Sequence, residues 1–376
     1  MKVLILTHSY LRGNSGGIYA SRTHINLFAT LSDKCTVLYP YAIGKEPEGI
    51  LQQKMNLVPI EDKRSNVHKM LDLMIGIVHR FSWRLVKQYL EDVDTVVFDN
   101  SVVSSRLIRR VKALGLRVIT IHHNYQIEYL KGDANKFLLP IELFWTWIYE
   151  GQSVRNSDLN LTLTKQDALL LKEHYLRSAH FATLGVFQPT LEKLPPNDTK
   201  FQGHRYIITG GLADKQTEKS LIEWVGRYYP LLKKFDSAAD LTIAGRNPSE
   251  KLYQVCNDAG IRLIASPQDM ASLLRNADFY ICPIDRGGGL KLRNLDGLRM
   301  GLPILTHSVS ARGYEKMMEE GLVLAYNNPK SFVEGLNVLL QMDYDKNKNQ
   351  SLYNCLYGFN AGVTRLSSIL NKENLN

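Results

Sequence analysis

The sequence predicts two doubly wound α/β domains, each a parallel sheet with helices on both faces. Three observations predict this. Short apolar runs rich in β-branched residues recur along the 376 residues, too uniformly apolar for strands with one wet face. Helical stretches separate the runs, the alternation that builds parallel sheets. A Pro-rich polar stretch, "QPTLEKLPPNDTKF" (188–201), parts the runs into two sets and reads as a linker.

Taken in order, the first set is "KVLILTH" (2–8), "CTVLYPY" (35–41), "TVVFDN" (95–100), "RVITIHH" (117–123), "LNLTLT" (159–164) and "FATLGV" (181–186). The second is "RYIITG" (205–210), "DLTIAG" (240–245), "IRLIAS" (261–266), "DFYICPI" (278–284), "LPILTH" (302–307) and "LVLAY" (322–326). Each set suffices for one Rossmann-like sheet, and at roughly 150 residues per domain the length allows two. The domains are expected at 1–187 and 202–356. Between the second and third runs, "HKMLDLMIGIVHRFSWRLVKQYL" (68–90) carries apolar residues at helical spacing, with His68, Lys69, His79, Arg80, Arg84 and Lys87 interleaved. It reads as one amphipathic helix packed on the first sheet with a solvated basic face. A second reading lays the helix on an anionic membrane, with Phe81 and Trp83 at the interface.

The composition, 44% hydrophobic and 22% charged, is that of a globular protein. Cys35, Cys256, Cys282 and Cys355 form no C-x-x-C pair, which argues against a zinc site or a disulfide framework. Cys35 and Cys282 read as core thiols in a reducing cytoplasm. "MKVLILTHSY" has too short an apolar run for a signal peptide and reads as a first strand. No apolar stretch reaches the length of a membrane span. The net charge of +9 attracts anions: nucleic acid, anionic lipid or phosphorylated small molecules. No helix-turn-helix, zinc finger or RNP-like motif is present, so no nucleic-acid partner is expected.

Ligands of such sheets bind outside the carboxyl ends of the strands. The segments there are "THSYLRGNSGG", "HHNYQIEY", "TGGLADKQT", "AGRNPSE" and "CPIDRGGGLKLR". Glycine, His, Lys and Arg thus gather at one edge of each sheet, and two such edges facing each other make a cleft. The segment "GGGLKLRNLDGLRMGLPI" (287–304) is the most specific. Gly287, Gly288 and Gly289 let backbone N–H groups approach a ligand. A helix start, Lys291 and Arg293 add positive charge, which makes an anion site of the phosphate type. Asp296 suits vicinal ribose hydroxyls, so the expected ligand is a nucleotide diphosphate.

This segment resembles the donor-binding signature of retaining GT-B glycosyltransferases of the family-4 type, G-x-G-x-K-x-K-x-x-E-A-x-x-x-G-x-P. Gly287, Gly289, Lys291, Arg293, Asp296, Gly297, Gly301 and Pro303 stand at its positions. The resemblance implies that the amides of Gly289, Leu290 and Lys291, with the Lys291 ammonium, hold the diphosphate, and that Asp296 binds ribose in place of the family's Glu. Where many relatives carry a further Glu near the donor sugar, this chain has Gly288. "LRGNSGGIYASRTHINLFATL" resembles the first loop of the family and puts Gly16 and Gly17 beside the donor, with Arg12 on the acceptor side. His123 with Asn124 matches the strand-end H-N-x-E, whose His contacts the transferred sugar; His122 points into the core. Glu150 matches the acid of an E…D…K region and is an acceptor-side candidate. "TGGLADKQTEKSL" matches the entry loop G-R-L-x-x-x-K, with Gly211 in place of the Arg, Lys215 as the nearest cation and Thr217 as a helix cap. Arg246, at another strand end, is placed beside the base or phosphate. The closing segment 357–376 is expected to be a helix that crosses back onto the first domain.

The resemblance implies a retaining hexosyltransferase that moves a sugar from a UDP- or GDP-sugar to a glycan or lipid-linked acceptor. His123 and Lys291 are the expected catalytic residues. No cofactor and no metal are expected: "DVD" (92–94) precedes its strand, and cations neutralise the leaving diphosphate. The expected location is cytoplasmic, peripheral on an anionic inner membrane face. Two alternatives stay open: a GT-B sugar-nucleotide epimerase, and a non-catalytic GT-B partner, for which Gly288 and Gly211 argue.

Overall fold

In the computed structural model, which describes residues 1–13, 15–41, 46–61, 65–76, 81–103, 105–132, 138–189 and 203–373, the first apolar run is strand β1 (Lys2–Thr7), buried from Val3 onward. It lies inside a seven-stranded sheet with β2 (Lys34–Tyr41), β3 (Asn56–Glu61), β4 (Thr95–Asp99), β5 (Arg117–His122), β6 (Leu159–Thr162) and β7 (Phe181–Thr183). The order is β3-β2-β1-β4-β5-β6-β7, and every pairing is parallel. The second sheet holds β8 (Arg205–Gly211), β9 (Asp240–Arg246), β10 (Arg262–Ala265), β11 (Phe279–Cys282), β12 (Ile304–His307) and β13 (Val323–Tyr326). Its order is β10-β9-β8-β11-β12-β13, again parallel throughout. The chain divides into two units. One is Met1–Phe187 with Gly288–Leu290 and Phe359–Asn376; the other is Gln188–Gly287 with Lys291–Gly358. Most of the expected linker lies outside the described residues.

All twelve apolar runs form strands, because their β-branched residues suit a pleated backbone and most are buried on both faces; the edge strands β7 and β10 are only partly covered. The sequence reading missed β3. Its sequence, NLVPIE, is partly exposed and contains Pro59. Proline removes a ladder donor, which an edge strand tolerates, and β3 is an edge strand paired only to β2.

The helices follow from their caps and apolar faces. Helix α1 (Gly16–Leu31) starts at Ser15, whose hydroxyl accepts from the Ile18 N–H, and it buries Ile25, Leu27 and Phe28. These pack with Val3, Ile5 and Val37 of the sheet and with Leu366 and Leu370 of the final helix, Phe359–Glu373. Each such side chain contributes about 1.5–3 kcal/mol on burial.

The single helix expected over 68–90 is instead two. Helix α2 (Asn66–Met74) stops at Ile75, and Gly76 follows at φ 79° with its N–H bonded to the Leu73 carbonyl. A left-handed glycine closes a helix in this way. Helix α3 (Trp83–Lys87) starts afresh with Ser82 as its cap. His79 and Arg80 lie outside the described residues. Phe81 is 2% exposed and packs with Val86 and Leu90, and Trp83 is half-buried with Arg110 over its ring. A membrane contact through Phe81 is therefore overturned: the ring is in the core.

The remaining helices of the first unit are α4 (Ser105–Lys112), α5 (Gln126–Lys131), α6 (Leu139–Asn156) and α7 (Lys165–His174); α8 (Lys215–Arg227) opens the second. Cys35, Cys256 and Cys282 are buried and Cys355 is exposed. Among the described residues no helix is long and apolar enough to cross a membrane.

Candidate functional site

In the first unit the strand order reverses between β1 and β4, and doubly wound sheets bind ligands at such a switch point. Thr7 and Asp99, the last residues of these strands, stand opposite each other. The Thr7 hydroxyl donates to Asp99 Oδ2 at 2.7 Å. His123, just past the end of β5, has Nε2 2.7 Å from Asp99 Oδ1. Burial pushes the Asp99 carboxyl up, but His123, as a charge and as a donor, outweighs it and leaves the pKa below its ordinary value.

His24 of α1 is fully buried beside them, its ring T-shaped to that of His123 at 5.7 Å. Its Nε2 donates to the Gly185 carbonyl at 2.8 Å, so Nδ1 is unprotonated, and it has no partner. Desolvation lowers the His24 pKa to about 4. One donor atom each of His24, Asp99 and His123 lie within 4.8 Å of one another. The sequence reading missed Asp99 and His24. Their signal was a carboxylate at the end of β4 and a histidine on the buried face of α1. His122 points inward as expected, bonded to Asn160 Oδ1 at 2.9 Å.

Two buried carboxylates hold the backbone just after His123. The Tyr125 N–H donates to Asp167 Oδ1 at 3.0 Å, and the Gln126 N–H donates to Glu150 Oε1 at 3.1 Å. Glu150, on α6, is fully buried and also accepts from the Ser101 and Tyr175 hydroxyls, both at 3.0 Å. Burial raises its pKa to about 7. Glu150 as an acceptor contact is therefore corrected: the carboxylate has no exposed surface and instead positions the His123 loop from behind. Asn124 Oδ1 is buried without a partner. Gly16 and Gly17 are exposed at the start of α1. Arg12 pairs with Glu48 at 3.2 Å on the surface, a contact worth little in water.

In the second unit the order reverses between β8 and β11. Gly210, near the end of β8, lies against Arg293, where a Cβ would meet Arg293 Nη1 at 2.8 Å. Arg293 Nη2 donates to Thr217 Oγ1 at 3.0 Å, while Nη1 is buried and has no partner. Thr217 is not the helix cap expected of it. Asp214 caps α8 and accepts from the Thr217 N–H and hydroxyl at 2.8 and 2.9 Å. Lys291 Nζ lies beside Gly287 (φ 81°), 3.0 Å from where a Cβ would stand. Burial and the neighbouring Arg293 lower the Lys291 pKa. The loop is pinned by the Tyr314 hydroxyl, which donates to the Lys291 carbonyl at 2.8 Å, and by the Asn294 amide, which donates to the Ser310 carbonyl at 2.7 Å.

Asp296, in the short helix Arg293–Arg299, has its pKa raised to about 6 by burial and is bonded to the Gln188 side chain. Tyr353 donates to the same Gln188 at 2.9 Å. Gly288 and Gly289 are buried, and Gly288–Leu290 group with the first unit. Gly211, Lys215 and Arg246 are exposed near the ends of β8 and β9. Within the second unit, then, Lys291, Arg293, Thr217 and Gly210 form one cluster whose buried guanidinium nitrogen still needs an acceptor.

Residues 203–342 match the family model described as Glycosyl transferases group 1. The whole chain is similar to sucrose-phosphate synthase from Thermosynechococcus elongatus, with a TM-score of 0.71 at 9% identity over 99% of both chains. The fold is GT-B. Anabaena HepE, crystallised with UDP, shares this GT-B architecture at a TM-score of 0.64 and 9% identity, over 99% of this chain and 100% of that one. So does the lipopolysaccharide outer core galactosyltransferase WaaB, at 0.64 and 12% over the same shares. Among curated proteins the chain is 23% identical over 258 residues to an uncharacterized 44.6 kDa protein in the cps region of Klebsiella pneumoniae. That alignment takes in 64% of this chain and 63% of the relative, so the chain spans less than two thirds of the relative's length. The matches thus give the GT-B fold to the whole chain and a likeness to Glycosyl transferases group 1 to residues 203–342.

Proposed function

We propose that the chain is a retaining glycosyltransferase. It moves a hexose from a UDP- or GDP-sugar to a glycan or lipid-linked acceptor in cell-surface polysaccharide or glycoconjugate synthesis. The observation that carries this reading is Arg293, with one guanidinium nitrogen tied to Thr217 and the other buried without a partner beside Gly210. A diphosphate oxygen is the acceptor that suits it, because Arg and Lys donors shorten and strengthen bonds to phosphate. Support comes also from the match over 203–342, from the UDP held by HepE and from the cps-region relative.

In the proposed reaction the bond from the anomeric carbon to the donor phosphate oxygen breaks, and the acceptor hydroxyl oxygen bonds to that carbon on the same face. The departing diphosphate takes the acceptor proton. Lys291 and Arg293 stabilise its growing charge, and Asp296 receives the ribose once it is released from Gln188. His123, oriented by Asp99, contacts the transferred sugar. The reaction needs no metal, since two cations serve the diphosphate. EDTA should leave turnover unchanged; a loss restored by a divalent ion would instead give His24, Asp99 and His123 a ligand role.

The test is a thermal-shift screen of UDP, GDP and their sugars, because a ligand of the native state raises apparent stability. It is followed by assay of nucleotide release. Slow release of UDP or GDP from the matching sugar supports the transferase. Gly288 and Gly211, which replace a family Glu and Arg, favour a second reading as a non-catalytic partner. Binding with no release under any acceptor would support that reading, and sugar interconversion without release would indicate an epimerase.

A further inference from the structure

The three adjacent glycines at 287–289 are glycine for different reasons. Gly287 and Gly289 have φ of 81° and 70°, the left-handed region that favours glycine. Gly288 between them does not have a positive φ, so its backbone makes no such demand. What stands in the way of a side chain there is a carboxylate. A Cβ on Gly288 would lie 3.2 Å from Glu128 Oε2, closer than ordinary van der Waals contact. Glu128 comes from α5, the short helix that follows the His123 loop. Gly288–Leu290 and α5 belong to the same unit.

The next glycine meets the same segment. A Cβ on Gly289 would lie 3.1 Å from the His123 carbonyl oxygen and 3.2 Å from Asn124 Cβ. Asn124 Oδ1 is buried and accepts no hydrogen bond. Native structures rarely leave such an atom unmet, and a donor on a ligand is one way to meet it. Glu128 is half-buried, and a carboxylate has about four lone-pair sites, so it can accept from a ligand beside the bonds it already makes. Two oxygen acceptors thus border two adjacent glycines, next to the histidine that Asp99 orients. Their chemistry selects a ligand group that donates. A diphosphate offers almost no donor and is repelled by a carboxylate, whereas a sugar offers a hydroxyl on most of its ring carbons.

We propose that Glu128 and Asn124 accept hydrogen bonds from hydroxyls of the transferred sugar, with Glu128 the stronger contact. The substrate class this selects is a hexose with free ring hydroxyls; a donor deoxygenated at the contacted position should be a poor one. The inference rests on the proposed function, since it needs a nucleotide-sugar donor. It also removes Gly288 from the case for a non-catalytic partner, because a carboxylate stands beside that glycine.

The test is isothermal titration of the purified full chain with UDP, GDP, UDP-glucose, UDP-galactose and GDP-mannose. The sugar nucleotide that the wild type binds best, and its own diphosphate, are then titrated into the variants. Glu128→Ala should weaken the sugar nucleotide by roughly 10- to 100-fold, the range for a hydrogen bond to a charged acceptor. The diphosphate should bind that variant as it binds the wild type, or more tightly. Asn124→Ala should show the same selectivity with a smaller loss. Gly288→Glu should weaken sugar-nucleotide binding when made in the wild type, because it sets a second carboxylate against Glu128. Made in Glu128→Ala it should restore binding, because it returns a carboxylate to the vacated space. Such a reversal of sign is coupling between two positions that share one task, and a merely structural role would not produce it. Circular dichroism and melting temperature should stay at wild-type values in Glu128→Ala and Asn124→Ala. Unchanged sugar-nucleotide affinity in Glu128→Ala, equal losses for sugar nucleotide and diphosphate, or no recovery in Glu128→Ala/Gly288→Glu would overturn the proposal. A wild type that binds none of these nucleotides would overturn the nucleotide-sugar reading and this proposal together, a result distinct from those three.

Discussion

Glu150→Gln should separate a buried positioning carboxylate from a solvent-facing substrate contact. Burial holds the Glu150 pKa at about 7 in the folded chain, against an ordinary value of 4.5. Below 4.5 both states are protonated and the group contributes nothing to pH dependence. Between 4.5 and 7 the unfolded chain has lost a proton that the folded chain keeps, so stability falls as pH rises; above 7 the loss is complete. The full loss is about 3 kcal/mol at about 1.4 kcal/mol per pH unit, most of it between pH 5 and pH 8.

Glutamine is neutral at every pH. Its carbonyl can still accept from the Gln126 N–H and the Ser101 hydroxyl, the contacts that Glu150 makes now. The variant should therefore lack this loss. For a unit of this size about 2–4 °C corresponds to 1 kcal/mol. The melting temperature of Glu150→Gln minus that of the wild type should then be higher at pH 8 than at pH 5 by roughly 5–10 °C. Tryptophan fluorescence suits the measurement, because Trp83, Trp145 and Trp147 all lie in the first unit. A difference that does not change with pH would mean a solvated carboxylate and would refute the reasoning.

Other outcomes follow from the same geometry. Arg293→Ala should weaken UDP or GDP binding by roughly 10- to 100-fold, the range for a charged hydrogen bond of about 1.5–3 kcal/mol; isothermal titration with unchanged affinity would remove Arg293 from the site. Asp99→Asn should lower kcat more than KM with the fold intact, because it frees His123 without removing it; steady-state kinetics with normal kcat would show that the Asp99–His123 bond is structural only. Leu366→Ala removes a fully buried side chain from the core shared with Phe28, so denaturant unfolding should lose about 2–5 kcal/mol. A loss under 1 kcal/mol would mean that the final helix is not seated in that core.

The strands were legible because double burial writes itself as unbroken apolar runs. Strand β3 was not, since NLVPIE interrupts the pattern with Pro59 at a sheet edge, where one face and one flank are free. The break at Gly76 was visible as a glycine inside a helical pattern, and the apolar periodicity on either side of it concealed the stop. Lys291 and Arg293 could be singled out because their charges are adjacent in sequence. Asp99 could not be paired with His123, for that contact exists only once β4 lies beside β5. Glu150 read as an acceptor-side acid from its match to the resembled motif, and Thr146, Glu150 and Ser153, a polar line on α6, gave no sign of burial. The structure buries all three, and hydroxyls and amides satisfy the carboxylate instead of water.

Helix α6 carries the fully buried Glu150 and, one turn earlier, the half-exposed Trp147. Residues three apart on one α-helix are separated by about 4.5 Å along its axis and move as one body. The tether of the His123 loop and the aromatic ring that meets the surroundings are thus two points on a single rod. Any displacement of α6 would therefore carry the Glu150–Gln126 hydrogen bond and the Trp147 ring together.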